Sequence, residues 1–215
     1  MYNENIVGIY LAAGHSSRMG TCKLSLPLAG DSLGTMALKE IVKSKLNHLV
    51  IVTKDFHPTW LRTIEPYLTN SIHWEHIISL QAHLGQSYSL RTGIQRAKQV
   101  GADAVIIFLA DQPFITSQLI NKLIDRKSNE YDFIASFDGV SIKPPILFQK
   151  KGFDSLLKIN GDQGARSFLK TGMLKGLKID INDNQLIDID TLEQYETYKQ
   201  IVSPQLCLIK ESTRF

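Results

Sequence analysis

Two glycines, two serines and two fixed cations lie close together near the start of the chain, within residues 11–24. The residues before them, 6–11, are apolar and rich in β-branched and aromatic side chains, which predicts a buried strand. Glycines allow the backbone to approach a ligand, and hydroxyl and main-chain N–H groups donate to phosphate oxygens. Arg18 can bind a phosphate through two donors, and Lys23 offers a point charge. The stretch therefore predicts a binding loop for a triphosphate at the end of the first strand.

This loop is not one of the two common phosphate-binding loops. Lys23 is followed by Leu24, which excludes the P-loop pattern G-x-x-x-x-G-K-[ST], and the spacing of Gly14 and Gly20 excludes G-x-G-x-x-G. The stretch resembles the L-x-G-G/A-A-G-x-S-x-R-M-G-x-x-K signature of nucleotidyltransferases, which move a nucleoside monophosphate from an NTP. The alternative is an ordinary glycine-rich turn between a strand and a helix, with solvated cations.

Apolar strand-like runs alternate with helical patterns along the chain, which predicts right-handed βαβ crossovers and a mostly parallel sheet. A single α/β domain over residues 1–215, with 203–215 as a possible tail, fits this length. Because proline cannot donate to a central ladder, the strand at 144–148 is expected at an edge or as an insertion. The predicted strands are 6–11, 48–53, 73–80, 104–109, 132–137 and 174–181, and the predicted helices are 32–45, 58–68, 87–100, 117–127, 152–157, 162–170 and 191–202.

Two acidic clusters are candidates for a metal site, because ligands of open α/β sheets sit at the carboxyl ends of the strands. Asp111 directly follows the most apolar strand, where a carboxylate could hold Mg²⁺ together with phosphate oxygens, or could merely satisfy turn N–H groups. Asp190 could supply a second carboxylate, with Asp188 a weaker candidate. The spacing of Asp190 and Glu193 also fits a capping box, and a capping side chain could not face a metal well.

Two further segments carry polar groups next to glycines. Residues 85–93, G-Q-S-Y-S-L-R-T-G, open a predicted helix whose hydroxyl-rich start is a natural polar binding edge, with Ser87 as a simple N-cap in the alternative. Residues 160–166, N-G-D-Q-G-A-R, place Arg166 and helix-start amides where an anion would bind. The alternative for this segment is a glycine-rich loop with Asp162 as N-cap.

Composition restricts the class of protein. A net charge of +3 without a basic run argues against nucleic-acid binding, and no segment resembles a signal peptide or a membrane span. Two cysteines make neither a metal pattern nor a disulfide framework, which suits a reducing cytoplasm. The six histidines fit no zinc template, and no serine lies in G-x-S-x-G. We expect a cytoplasmic protein with small-molecule substrates.

The four motifs occur in the order found in molybdenum cofactor cytidylyltransferases, of the MobA-like NTP transferase family, and the chain resembles them over about residues 6–200. The resemblance rests on L-A-A-G, D-Q-P, G-D-Q-G-A-R and D-I-D-T, with Ala110, Leu192 and Gln194 departing from the pattern. It implies a three-layer Rossmann-like sheet of the nucleotide-diphospho-sugar transferase fold. It also implies transfer of CMP from CTP to molybdopterin with Mg²⁺, and a xanthine dehydrogenase-type molybdoenzyme as partner.

The resemblance assigns roles to individual residues. It implies catalytic roles for Arg18, Lys23 and Asp111, metal ligation by Asp111 and Asp190, and acceptor binding by Pro145, Asp162 and Arg166. The nucleotide-binding set that it implies is Leu11, Ala12, Ala13, Gly14, Ser16, Arg18, Lys23, Gly85, Ser87 and Ser89. A sugar- or alditol-phosphate nucleotidyltransferase is one alternative function, and a nucleotide-binding accessory protein without turnover is another.

Overall fold

The computed structural model describes residues 4–14, 22–69, 71–170 and 172–212. Strands and helices alternate through these residues, as the apolar periodicity predicts. The strands are β1 (Ile6–Leu11), β2 (Pro27–Leu28), β3 (Asp31–Ser32), β4 (His48–Thr53), β5 (His73–Ile78), β6 (Ala104–Leu109), β7 (Phe133–Phe137), β8 (Ile142–Gln149) and β9 (Gly176–Asp180). The helices are α1 (Leu33–Val42), α2 (Thr59–Arg62), α3 (Glu65–Thr69), α4 (Gln86–Gln99), α5 (Ser117–Asp125), α6 (Phe153–Leu156), α7 (Ala165–Leu169) and α8 (Leu192–Ser212).

Seven of these strands form one sheet in the order β5-β4-β1-β6-β8-β7-β9, and β2 pairs with β3 in a separate hairpin. Every neighbouring pair in the large sheet is parallel except the two pairs that include β8. The prediction of a mostly parallel sheet is therefore confirmed. Because the parallel strands point the same way, the segments that follow β1 and β6 emerge side by side at one edge.

The proline-containing strand is an insertion and not an edge. β8 lies between β6 and β7, and its pairing with β7 shifts between Ala135 and Ser136, so that Ala135 pairs with Ile146 and Ser136 with Lys143. The two prolines between these partners are left out of the ladder, and the pairing with β6 also ends at Ile146. An irregularity in the ladder thus accommodates residues that cannot donate.

The sheet is covered by helices on both faces, which gives three layers. Successive residues of a strand point to opposite faces, and along β1 Ile6 and Tyr10 join one core while Val7, Ile9 and Leu11 join the other. All of β1 is buried, as expected for a central parallel strand. The first core also contains apolar residues of α1, α2, α3, α5 and α8, and the second those of α4, α6 and α7.

Several helix boundaries differ from the prediction, and the helix predicted at 58–68 is two short helices, α2 and α3. α4 begins at Gln86 with Gly85 at the N-cap, so the prediction of Ser87 as N-cap is wrong. α8 continues to Ser212, beyond the predicted end at residue 202. Gln205, Leu206, Leu208 and Lys210 are good helix formers, so propensity favours a helix where apolar periodicity does not indicate one. Among the described residues, no helix combines the length and apolar character needed to cross a membrane.

Candidate active site

A cavity of about 510 Å³ opens at the carboxyl ends of β1 and β6. Its walls come from the segment after β1, the turn at Lys23, the connection between β5 and α4 with the first turn of α4, and the segment after β6. Asp162, before α7, and Asp190, before α8, complete them. Ten of the residues singled out from the sequence line this one cavity: Leu11, Ala12, Ala13, Gly14, Lys23, Gly85, Ser89, Asp111, Asp162 and Asp190. The fold therefore brings residues of all four motifs together.

Lys23 links the two acidic clusters. Its ammonium donates to Asp111 Oδ2 at 2.8 Å, to Asp190 Oδ1 at 2.9 Å and to the main-chain oxygen of Ile189 at 3.1 Å. The Lys23 side chain is only 13% exposed. Burial lowers its pKa, but the charges and hydrogen bonds of the two carboxylates outweigh burial and hold the pKa above its usual value. Lys23 therefore stays charged at neutral pH.

The two carboxylates fit a divalent cation. Asp111 Oδ1 is buried and has no hydrogen-bond partner within the part of the chain that the structure describes. The other oxygen, Oδ2, accepts from the Lys23 ammonium. Among the same residues there is no group of three or more His, Cys, Asp or Glu side chains arranged to hold a metal. Mg²⁺ needs only one or two carboxylates when phosphate oxygens and water complete its coordination. Asp111 and Asp190 match that requirement.

The sequence left open whether Asp190 caps the last helix or faces the cavity. The capping box of α8 is formed by Thr191 and Gln194: the Gln194 main-chain N–H donates to Thr191 Oγ1 at 3.2 Å, and Gln194 Oε1 accepts from the N–H groups of Asp190 and Thr191 at 2.8 and 3.0 Å. The predicted box of Asp190 and Glu193 is therefore wrong by one residue. This shift releases the Asp190 carboxylate to bind Lys23.

Asp188 adds a third acidic group close to the site. Its pKa is raised from 3.8 to about 6: burial is the largest cause, the charges of Asp111 and Asp190 act in the same direction, and the charge of Lys143 opposes them. Lys143 lies 3.1 Å from Asp138 on the β7–β8 connection. Asp188 therefore ionises less readily than an ordinary aspartate.

The start of α4 does not present its amides to the cavity. The N–H groups of Gln86 and Ser87 donate to Asp162 Oδ1 at 3.5 Å and to the main-chain oxygen of Gly161 at 3.2 Å. The Ser87 hydroxyl is buried and donates to the same Gly161 oxygen at 2.7 Å. The expectation of an open helix-start binding edge is corrected here, because residues 161 and 162 occupy those donors. Asp162 accordingly caps α4 and does not precede a helix directly, since α7 begins at Ala165.

Some predicted residues lie elsewhere. Pro145 is buried in β8, where its main-chain oxygen accepts from Ser136 Oγ at 2.9 Å, and it does not line the cavity. Arg166 is exposed on α7 and does not line the cavity either. Ser16 and Arg18 fall within 15–21, outside the described residues.

Sequence reasoning missed several lining residues, namely Ala82, His83 and Leu84. They belong to the connection between β5 and α4. The signal that could have found them is position: they follow the carboxyl end of a strand that neighbours β4 in the sheet. Their residue types and spacing match no motif that indicates a chemical function.

The parallel sheet with one inserted antiparallel strand, and the lysine and two aspartates at its carboxyl edge, define a nucleotidyltransferase of the nucleotide-diphospho-sugar transferase fold. Residues 8–177 match the MobA-like NTP transferase domain, and the chain belongs to that family. It is 34% identical over 207 residues to the purine catabolism protein PucB of Bacillus subtilis (strain 168), covering 94% of this chain and 100% of that relative. It is 25% identical over 209 residues to a probable molybdenum cofactor guanylyltransferase of Natranaerobius thermophilus, covering 94% of this chain and 93% of that relative.

Solved structures share the fold. A nucleotidyl transferase from Methanothermobacter thermautotroptrophicus superposes with a TM-score of 0.74 at 18% identity, over 94% of this chain and 100% of that one. A Mycobacterium tuberculosis H37Rv protein solved as a manganese complex gives 0.71 at 18% identity, over 91% and 98%. At these identities the similarity concerns the fold alone. The chain is thus a MobA-like nucleotidyltransferase, related to molybdenum cofactor nucleotidyltransferases and to PucB.

Proposed function

We propose that this protein transfers CMP from CTP to molybdopterin or its molybdenum-bearing form, with release of pyrophosphate. The whole chain acts as one NTP-transferase domain, and the product serves xanthine dehydrogenase-type enzymes. The observation that carries the proposal is the contact of the Lys23 ammonium with both Asp111 and Asp190, in the same cavity as the L-A-A-G segment. A cation site beside a glycine-containing strand end is suited to a metal-bound triphosphate.

Asp111 and Asp190 would hold a divalent cation, Mg²⁺ in this proposal. Bound there, the ion would neutralise charge on the triphosphate and on the departing pyrophosphate. Lys23 contacts both carboxylates. Its ammonium is proposed to turn from them toward phosphate oxygens when the triphosphate binds. Arg18, from the same motif, is proposed to bind the triphosphate as well. The metal complex of the Mycobacterium tuberculosis protein supports a divalent cation in this fold.

The choice of CTP depends on the segment after β1. Ala12 and Ala13 are both buried and line the cavity, and both belong to the L-A-A-G motif through which the chain resembles cytidylyltransferases. The methyl group of Ala13 occupies space at the cavity wall, which favours the smaller pyrimidine over a purine. Ser89 lines the same cavity and is proposed to contact the nucleoside.

The acceptor is proposed to enter beside Asp162, which lines the same cavity as the two carboxylates proposed to bind the metal. Asp162 and Arg166 belong to the G-D-Q-G-A-R segment, and Asp162 lines the cavity. The acceptor's terminal phosphate would attack the α-phosphorus of CTP, forming a new P–O bond while the bond to pyrophosphate breaks. No covalent intermediate with the protein is required, because positioning and charge neutralisation supply the rate increase. The similarity to PucB, a purine catabolism protein, supports the link to xanthine dehydrogenase-type enzymes.

The test is pyrophosphate release with Mg²⁺ and molybdopterin, comparing CTP, GTP, ATP and UTP. Asp111→Asn keeps the shape of the side chain but removes its charge, and we expect its rate to fall by about a hundredfold or more. Asp31→Asn is the matched control, because Asp31 pairs with Lys39 on the β2–β3 hairpin and does not line the cavity.

Each outcome of that assay decides between functions. Release with CTP that is lost in Asp111→Asn and kept in Asp31→Asn supports the proposal. Release with GTP instead would overturn the base assignment, and release only with a phosphorylated sugar or alditol would overturn the acceptor. Nucleotide binding without release for any acceptor would point to an accessory protein that escorts the cofactor.

A further inference from the structure

A short segment, residues 159–162, closes the first turns of α4, and we call it the capping segment. A helix leaves its first N–H groups without partners in the helix itself. In α4 the capping segment supplies partners for two of them, the N–H groups of Gln86 and Ser87, through Asp162 Oδ1 and the Gly161 oxygen described above. The Ser87 hydroxyl donates a further bond to Gly161, across 74 positions of sequence. The partners of these two N–H groups are therefore tertiary, whereas the Tyr88 N–H donates locally to the Gly85 oxygen.

The approach of the capping segment to α4 is close. Gly85 has a φ of 125°, in the region that favours glycine, and a Cβ at this position would lie 2.4 Å from the Gly161 oxygen. At Gly164 an added Cβ would meet only the end of the flexible Gln86 side chain, which could move aside. Gly85 is therefore the glycine that allows the two backbones to meet.

Arg91 fixes the other end of the capping segment. One guanidinium nitrogen, Nη2, donates to the Ile159 oxygen at 2.7 Å and to Asn160 Oδ1 at 3.0 Å. The guanidinium carbon also lies 4.9 Å from the centre of the Tyr88 ring, and this cation–π contact helps to hold the guanidinium. Arg91 itself does not line the cavity, whereas Asp162, at the end of the capping segment, does.

We propose that Ser87 and Arg91 are positioning residues for the acceptor: they hold the capping segment on α4 and so place Asp162 at the cavity. This inference rests on the proposed function for the identity of the acceptor. It changes the role of Ser87, which does not read the nucleotide but fixes the part of the wall that carries Asp162. The nucleotide side and the acceptor side of the cavity are consequently joined through α4.

The first test needs no substrate. The Ser87 amide donates to Gly161, so its hydrogen exchange reports whether the capping segment is docked. In ligand-free protein we expect Arg91→Met to speed exchange of this amide by about tenfold, the effect of losing hydrogen bonds from a charged donor. Arg91→Lys should restore part of the protection, because lysine can still donate to one oxygen. Arg96→Met is the matched control, since Arg96 lies on the same helix but pairs with Glu75 at 2.7 Å.

The second test separates acceptor from nucleotide. Arg91→Met should raise KM for molybdopterin about tenfold and leave kcat and KM for CTP within about twofold. Ser87→Ala should shift the same KM in the same direction, and it serves if Arg91→Met does not fold. Arg96→Met should match the wild type.

Three results would overturn the inference. One is unchanged Ser87 exchange in Arg91→Met, and another is an unchanged acceptor KM despite faster exchange. The third is an equal rise in KM for CTP, which would place Arg91 and Ser87 on the nucleotide side. A wild type without turnover would overturn the proposed reaction and the acceptor role together, while the exchange measurement would still decide whether Arg91 holds the capping segment.

Discussion

The ammonium of Lys23 lies 2.9 Å from the carboxylate of Asp190, a residue 167 positions further along the chain. Together with Asp111, these side chains form a compact group in which one positive charge faces two negative ones. In the proposed function, a divalent cation would bind the same two carboxylates that the Lys23 ammonium contacts. Metal binding and the lysine–carboxylate contacts are therefore expected to compete.

This competition predicts the behaviour of Lys23→Met, which keeps the length of the side chain and removes its charge. Without nucleotide, we expect the variant to bind Mn²⁺ about tenfold more tightly than the wild type, equivalent to about 1.4 kcal/mol, because no ammonium competes for Asp111 and Asp190. With Mn²⁺ present, we expect it to bind CTP more weakly. A Mn²⁺ titration followed by electron paramagnetic resonance measures the first effect.

The control for that measurement is Lys39→Met, whose partner Asp31 lies outside the cavity. It should bind Mn²⁺ as the wild type does. Weaker Mn²⁺ binding by Lys23→Met would mean that the lysine supports the metal site and does not compete with it.

Gln194 holds the main chain at Asp190 through two accepted hydrogen bonds. Gln194→Ala should lower the free energy of unfolding by about 1 kcal/mol, as the loss of a helix cap does. It should also weaken Mn²⁺ binding, because the Asp190 carboxylate is held less firmly. Thermal unfolding and the Mn²⁺ titration measure the two effects. Gln194→Glu keeps an accepting oxygen and should restore both; a Gln194→Ala protein equal to the wild type in both assays would contradict this role.

Asp188 predicts a pH-dependent change in stability. Its pKa in the native state is raised from 3.8 to about 6, so between these values the native state holds a proton that the unfolded chain has released. This carboxyl group therefore destabilises the protein progressively as pH rises through that window, and most strongly above it. Asp188→Asn should raise the Tm of metal-free protein more at about pH 7.5 than at about pH 4.5.

The comparison for Asp188 is Asp180→Asn, which removes the same charge from an exposed residue at the end of β9. Thermal unfolding of both variants in chelator, across the pH range, provides the measurement. A gain for Asp188→Asn that is equal at both pH values would show that removal of the charged form is not its cause.

Tyr195 connects α8 to the β2–β3 hairpin. Its ring is buried, and its hydroxyl donates to the Pro27 main-chain oxygen at 2.7 Å. Tyr195→Phe should lower the free energy of unfolding by about 1 kcal/mol, because the hydrogen bond to the Pro27 oxygen is lost. Tyr198→Phe, in the same helix and packed against Phe114, should cost less. Denaturant unfolding of the two variants measures the difference, and equal losses would contradict a specific role for the Tyr195 hydroxyl.

The strands were the most predictable part of the fold. β1, β4 and β6 have the bounds that the apolar runs predict, because a central strand covered on both faces must be apolar throughout. The motifs also predicted most of the cavity, since residues that follow neighbouring parallel strands meet at one edge. Pro144 and Pro145 restricted β8 to an edge or an insertion, but a choice between these requires the pairing of β7, which local sequence does not contain.

The roles of Ser87 and Asp190 could not be predicted in the same way. The partner of the Ser87 hydroxyl is a main-chain oxygen 74 positions away, and no residue type marks it in the sequence. For Asp190, two overlapping capping boxes were available, and Gln194 accepted where Glu193 had been expected. A shift of one position along a helix start changes which side chain caps the helix and which is left to face the cavity.

The wide separation of Lys23 and Asp190 also has a consequence during translation. The ribosome delivers β1, Lys23 and β6 with Asp111 well before it delivers Asp190 and the tyrosine that fastens α8. A nascent chain that ends at β9 therefore has one carboxylate for its lysine and lacks the second. Since domains generally fold as units, the charged group is completed only after the last helix emerges. An unfinished chain consequently lacks the complete group of one lysine and two aspartates.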